Sequence, residues 1–221
     1  MKTETLRVET ANGTTSAFLA QPETNTKRAV LVIQEYWGLN DHIKDIAGRY
    51  AEEGFIAIAP DLYHGRITKD SREAATLMRG LSIEDGLETI RKTMAKTSDV
   101  YGINHFGITG FCMGGTYALC AACELEGISA AAPFYGDTPS EDILKKLTVP
   151  TIFVSATKDA WINPAKVAEL EEIAEKYELP LTSAKYEADH AFFNNTRPEV
   201  YNEAAAKDAW ALVIGLFNDK L

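Results

Sequence analysis

Gly110-Phe111-Cys112-Met113-Gly114-Gly115 follows an apolar run that begins at His105 and opens a stretch of small residues from Met113 to Leu125. The pattern reads as a strand that turns sharply into a helix. So tight a turn forces its apex residue into a strained backbone conformation and leaves almost no room for side chains on either side, a need that Gly110, Gly114 and Gly115 meet. The apex side chain then stands clear at the carboxyl end of a sheet, next to the first free N–H groups of the following helix. That side chain is Cys112, and a thiol so placed is easier to ionise.

Outward from the elbow, the chain alternates strands and helices. Upstream, Ala29-Val30-Leu31-Val32-Ile33 is an unbroken apolar run of the kind found in strands covered on both faces. The loop Glu35 to Asn40 follows it, then an amphipathic helix with Ile43, Ile46, Ala47 and Tyr50 inward, Asp41 as N-cap and Gly54 as stop. Phe55 to Ala59 is a short strand, and Asp70 to Gly80 and Ser82 to Lys96 are helical, the second opened by a near capping box. Before all of these, Thr5 to Thr10 and Thr14 to Ala20 alternate around Asn12-Gly13, a two-residue hairpin signal. Downstream, Ile128 to Tyr135, Val149 to Ala156 and Leu181 to Glu187 are strands, with a short helix near Asp142 to Lys146 and another capped at Asn163-Pro164. The last helix is expected from Pro198, with Val200, Ala204, Ala211 and Ile214 inward. This order predicts an α/β fold: a mostly parallel sheet of about eight strands, an antiparallel start, and helices on both faces. Ligands then bind beyond the carboxyl ends of the strands.

With 221 residues, 46% of them hydrophobic, and no flexible divider, the chain reads as one domain spanning residues 1–221. A formal charge of -10, with 22 basic against 32 acidic residues and no basic block, disfavours nucleic acid. No 18-residue apolar run occurs and the first twenty residues are too polar for a secretory signal, so a cytoplasmic protein that binds no membrane is expected. Three cysteines suit a reducing compartment. Cys120 and Cys123 read as core residues of a buried helix; the alternative, a redox pair, requires a disulfide between them.

An activated thiol needs a base, and the chain offers His42, His64, His105 and His190. His105 opens the strand that ends at the elbow and so lies at the opposite edge. The other three can lie at the correct edge, but in this architecture nucleophile, acid and base follow one another along the chain, and only His190 comes after Cys112. His42 and His64 are left as solvated or substrate-facing. Asp159 follows the strand ending at Ala156 and fits the acid, with Asp189 as its rival; Asp159 would hold His190 in the useful tautomer. The N–H groups of Met113 and Tyr36 are the candidate oxyanion hole. Glu35 then falls close to Cys112, where a carboxylate opposes ionisation of the sulfur.

Gln34-Glu35-Tyr36-Trp37-Gly38-Leu39-Asn40, Ala59-Pro60-Asp61-Leu62-Tyr63, the elbow, Asp159 and Asp189-His190-Ala191-Phe192 together resemble the dienelactone hydrolase family of α/β-hydrolases, over nearly the whole chain from Arg28 onward. The resemblance implies a Cys112-Asp159-His190 triad, no cofactor and no metal, and hydrolysis of a lactone with an enol leaving group. It implies that Glu35 holds the resting thiol neutral until an anionic substrate displaces it. Of two arginines that grip a substrate carboxylate in the family, Arg72 matches one, Asn194 stands at the other, and Arg197 is a substitute if its loop bends back; Trp37 joins them as a substrate-binding candidate. The basic segment Arg66 to Arg79 suits an anionic ligand, or is a solvated helix whose bases pair with Asp70 and Glu73. A thiolate is itself easily expelled, so the chemistry favours enol esters and thioesters over amides. The expectation is thus a carboxylic ester hydrolase, of lactones or more generally of esters and thioesters, active as monomer or homodimer on a small, anionic molecule. A binding module that kept the fold without the chemistry is the competing class.

Overall fold

The computed structural model describes residues 1–221. Eight strands form one sheet: β1 (Lys2–Thr10), β2 (Gly13–Gln21), β3 (Ala29–Ile33), β4 (Ile56–Pro60), β5 (Phe106–Phe111), β6 (Ile128–Phe134), β7 (Thr151–Ala156) and β8 (Leu181–Tyr186). Their spatial order is β1-β2-β4-β3-β5-β6-β7-β8. β1 and β2 form an antiparallel hairpin, β2 runs antiparallel to β4, and every later pairing is parallel. Seven helices connect them: α1 (Asp41–Glu52), α2 (Ser71–Gly80), α3 (Ile83–Tyr101), α4 (Met113–Glu124), α5 (Glu141–Leu144), α6 (Pro164–Lys176) and α7 (Glu203–Lys220).

The period of two along β3 divides the core. Ala29, Leu31 and Ile33 join the apolar cluster beneath α3, α4 and α6, whereas Val30 and Val32 join the one beneath α1 and α7. All five are fully buried, as the unbroken apolar run requires. α4 is buried along nearly its whole length, its small residues letting it lie close against β5 and β6.

Local signals fixed most element ends, but α3 runs past the expected Lys96 to Tyr101, where Gly102 in a left-handed conformation stops it, and three further readings are corrected. Asn40, not Asp41, caps α1 by accepting from Ile43 N–H, and Asp41 sits in the first turn where its charge suits the helix dipole. At the other end Gly54, with φ of 87°, closes the helix: its N–H bonds Ala51 O and the Phe55 N–H bonds Tyr50 O. The hairpin turn is Ala11-Asn12, because Thr10 pairs directly with Gly13; the Thr10 hydroxyl accepts from Asn12 N–H and donates to Gly13 O. α7 begins at Glu203 rather than Pro198. Residues 198–201 are instead turned by bonds from Val200 and Tyr201 N–H to Arg197 O, and Asn202 caps the helix. Its buried face is accordingly Ala205, Ala206, Ala209, Val213, Ile214 and Phe217, which leaves Ala204 and Ala211 exposed.

Candidate active site

The turn from β5 into α4 places Cys112 at the carboxyl edge of the sheet with φ of 54° and ψ of -118°, a conformation costly for any residue with a side chain. Its glycines are required by close approach. A Cβ on Gly114 would lie 2.4 Å from Ile33 O, and one on Gly115 would lie 2.4 Å from Phe134 O, so β3, α4 and β6 meet backbone to backbone beneath the sulfur. The strain at Cys112 is thus held by contacts on both sides of the elbow.

Loops from four other strand ends converge on it. Asp159, after β7, is buried and accepts from the N–H groups of Trp161 and Ile162 through Oδ1. Its Oδ2 lies 2.6 Å from His190 Nδ1. Burial pushes the Asp159 carboxyl up, but the His190 contact and the two N–H donors outweigh it and leave the group below its usual range. Asp159 is therefore a carboxylate, Nδ1 carries the hydrogen and donates it, and Nε2 is left as the basic nitrogen. That Nε2 is buried and has no hydrogen-bond partner. The rings of Trp161 and Tyr135 pack on the imidazole at centroid distances of 4.9 and 5.1 Å.

Cys112 and His190 line one cavity of about 500 Å³, shared with Tyr36, Met113, Tyr135 and Trp161. No hydrogen bond joins the thiol to His190 or to Glu35. Burial pushes the thiol up to about 12, with the Glu35 charge adding to it and the Met113 N–H opposing it. The Tyr36 N–H donates to no backbone carbonyl, and the Met113 N–H lies against the Cys112 sulfur. Glu35 is buried and accepts from Asn194 Nδ2 at 2.8 Å; burial moves its carboxyl from 4.5 to about 7. Asn194 is itself held, its Oδ1 accepting from the N–H and hydroxyl of Thr196.

The remaining candidates lie elsewhere. Trp37, Asn194 and Arg197 line a second, polar groove of about 540 Å³ together with Lys69 and His42. Arg197 is tied to Glu199 at 2.8 Å. Arg72 reaches neither cavity: Ser71, Ala75 and Met78 form the stripe of α2 that faces Cys112, and Arg72, one position on, is turned about 100° away and exposed. In the same segment Arg66, not Arg72, pairs with Glu73, and Asp70 is spent capping α2. Asp189 makes no bond to His190. His42 is buried in α1, which rules out the solvated reading for it, and burial pulls its imidazole down to about 4. His64 is exposed in a left-handed turn with Nδ1 3.3 Å from Thr14 O. Cys120 and Cys123 are free and buried. Sequence reasoning missed Tyr135 and Trp161. Their only signal was position, immediately after β6 and two residues past Asp159. No group of three or more His, Cys, Asp or Glu side chains is arranged to hold a metal ion, and no helix is long and apolar enough to cross a membrane.

Residues 15–221 match the model of the dienelactone hydrolase family. The chain belongs to that family. It is 34% identical over 203 residues to the protein usf of Aquifex pyrophilus, covering 87% of this chain and 88% of that one. It is 33% identical over 204 residues to an Aquifex aeolicus protein described provisionally as a carboxymethylenebutenolidase, with the same coverage. Among solved structures, a Klebsiella pneumoniae protein described provisionally as a dienelactone hydrolase superposes with a TM-score of 0.90 at 27% identity, over 99% of both chains. The fold is that of the α/β-hydrolases, and the family is hydrolytic: the protein is a carboxylic ester hydrolase acting on esters or lactones.

Proposed function

We propose that the protein cleaves an activated ester or lactone by nucleophilic catalysis through Cys112, with His190 as base and Asp159 as its orienting acid. The reading rests on one observation: Asp159 engages His190 Nδ1 and leaves Nε2 without a partner on a ring that lines the same cavity as Cys112. When a substrate carbonyl reaches the sulfur, Nε2 takes the thiol proton and the sulfur adds to the carbonyl carbon. The oxygen that becomes an oxyanion accepts from the Tyr36 and Met113 N–H groups. Collapse breaks the carbon–oxygen bond of the leaving group, which takes the proton from His190. Water then gives a proton to Nε2 and its oxygen to the acyl carbon, and the thiol is restored.

Because the resting thiol is neutral and not hydrogen-bonded to the base, attack waits for a bound substrate. Glu35 reinforces that state through its charge. A thiolate competes poorly with alkoxides and amines as the group retained, so the substrates are enol, aryl or thiol esters and strained lactones rather than amides. Rapid quenching during turnover of an aryl ester tests the reading. Intact mass is expected to show one acyl group, lost in Cys112→Ala and accumulating in His190→Ala treated with a reactive ester. An acyl group on any other residue, or turnover undiminished in Cys112→Ala, rejects it.

A further inference from the structure

We infer that Trp161 seats the leaving group and makes the enzyme select esters whose leaving group carries a flat aromatic ring; this rests on the proposed roles of Cys112 and His190. One carboxylate organises this part of the cavity. Asp159 engages His190 Nδ1 through Oδ2 at 2.6 Å, and its Oδ1 accepts from the Trp161 N–H at 2.8 Å. Base and tryptophan are therefore held by the same group. The indole lies against the imidazole edge to face, with ring centroids 4.9 Å apart and planes at 70°. When the tetrahedral intermediate collapses, His190 gives its proton to the departing atom, which must then be within hydrogen-bond reach of the imidazole. Whatever that atom carries lies beside the rings that flank His190.

Two rings do so, Trp161 and Tyr135, and they differ in what they can offer. Tyr135 is 1% exposed and packs on Phe111, Phe134 and Phe192, so it has no surface left to give. Trp161 is 64% exposed, and its only aromatic partner is His190. It lines the cavity that holds Cys112, together with Ile162 and Met78. A flat ring laid on the indole takes apolar surface out of water and gains the preferred contacts of an aromatic pair. Met78, 38% exposed, adds a thioether to the same cavity, and sulfur is a favourable neighbour for a ring. A volume of about 500 Å³ holds a two-ring leaving group with a short acyl chain.

The test compares 2-naphthyl acetate with phenyl acetate through kcat/KM, which reports the steps up to acylation, the only ones in which the leaving group takes part. Each value is divided by the rate of hydroxide-catalysed hydrolysis, which removes the small difference in leaving-group acidity. The naphthyl ester is expected to be favoured about tenfold. Trp161→Ala should bring the ratio to within about twofold of unity, and Trp161→Phe should keep several-fold of it, with circular dichroism confirming both folds. A merely structural role for Trp161 would slow both esters alike, so a ratio unmoved in Trp161→Ala overturns the inference, as does a parent that shows no preference. Phenyl pentanoate against phenyl acetate varies the acyl group instead. That ratio should not change in Trp161→Ala; if it falls more than the leaving-group ratio, the indole seats the acyl chain and the inference is overturned. A last readout needs no turnover. The concentration of 2-naphthol that halves labelling of Cys112 by iodoacetamide is expected to rise at least about fivefold in Trp161→Ala. That rise without any acyl-enzyme keeps the seat and sinks the catalytic proposal, whereas equal concentrations in the two proteins sink the seat whatever is acylated.

Discussion

Cys112 and the Cys120–Cys123 pair lie about two to three helical turns apart, one at the N-cap of α4 and the others in its body, and burial pushes all three thiols up to about 12. By acidity alone they are the same residue. They differ in backbone and neighbours. Cys112 has a left-handed φ, an N–H group beside the sulfur, and a cavity that it shares with an imidazole whose Nε2 has no partner. Cys120 and Cys123 have ordinary helical backbone and are buried in the body of the helix. A raised thiol therefore marks burial, and what separates a nucleophile from a packing residue is whether a base and an oxyanion site are already arranged around it.

The two kinds of cysteine differ most in what their removal does to activity. Cys112→Ala and His190→Ala are each expected to lower kcat/KM for an aryl ester by about a thousandfold or more. Cys120→Ala should stay within about threefold, with circular dichroism confirming that each variant is folded. A large loss at Cys120 would erase the distinction. Next in size is Asp159→Asn, expected to cost about a hundredfold or more, because an amide can donate to Nδ1 and turn the hydrogen-bearing nitrogen toward the thiol. The loss should appear mainly in kcat, and a change confined to KM would mean that Asp159 shapes the cavity without orienting the base.

The same contrast explains which parts were legible in the sequence. The elbow was, because its constraint is local: Gly110, Gly114 and Gly115 lie where backbones touch, and no other residue fits. The β3 run and the caps at Ser82 and Asn163 are local signals too. Chain order alone put Asp159 and His190 at the edge where Cys112 emerges, since each follows a parallel strand. The orientation of α2 was not legible. Arg72 and Ser71 are neighbours in sequence, and only packing against the rest of the fold decides which of them looks at the sulfur. The start of α7 misled for a similar reason. Pro198 and Val200 imitate a first turn, but Asn202 N–H bonds Phe192 O, tying that segment to the loop that carries His190.

Glu35 sets Cys112 apart on a smaller scale, because its charge reaches Cys112 and is not among the causes that raise either of the other thiols. Its carboxyl moves from 4.5 to about 7 in the folded protein, so between those values the folded state holds a proton that the unfolded state has released. Stability from this group is full below about 4.5 and is lost as pH rises through about 7. Glu35→Gln removes the charge and keeps an acceptor for Asn194. It is expected to be more stable than the parent at pH 8 by up to about 3 kcal/mol and to show little gain at pH 4.5. Taking the difference from the parent cancels His42, whose depressed imidazole makes stability rise with pH between about 4 and 6.5. Urea midpoints at the two pH values read the effect, and a gain equal at both would place its origin in packing. The smallest effect is on reactivity. With the Glu35 charge gone, burial still raises the thiol, so iodoacetamide should label Cys112 only several-fold faster at pH 8, while Cys120 and Cys123 keep their rates. Acceleration at all three would point to a loosened fold, whereas acceleration at Cys112 alone ties the carboxylate to that one sulfur.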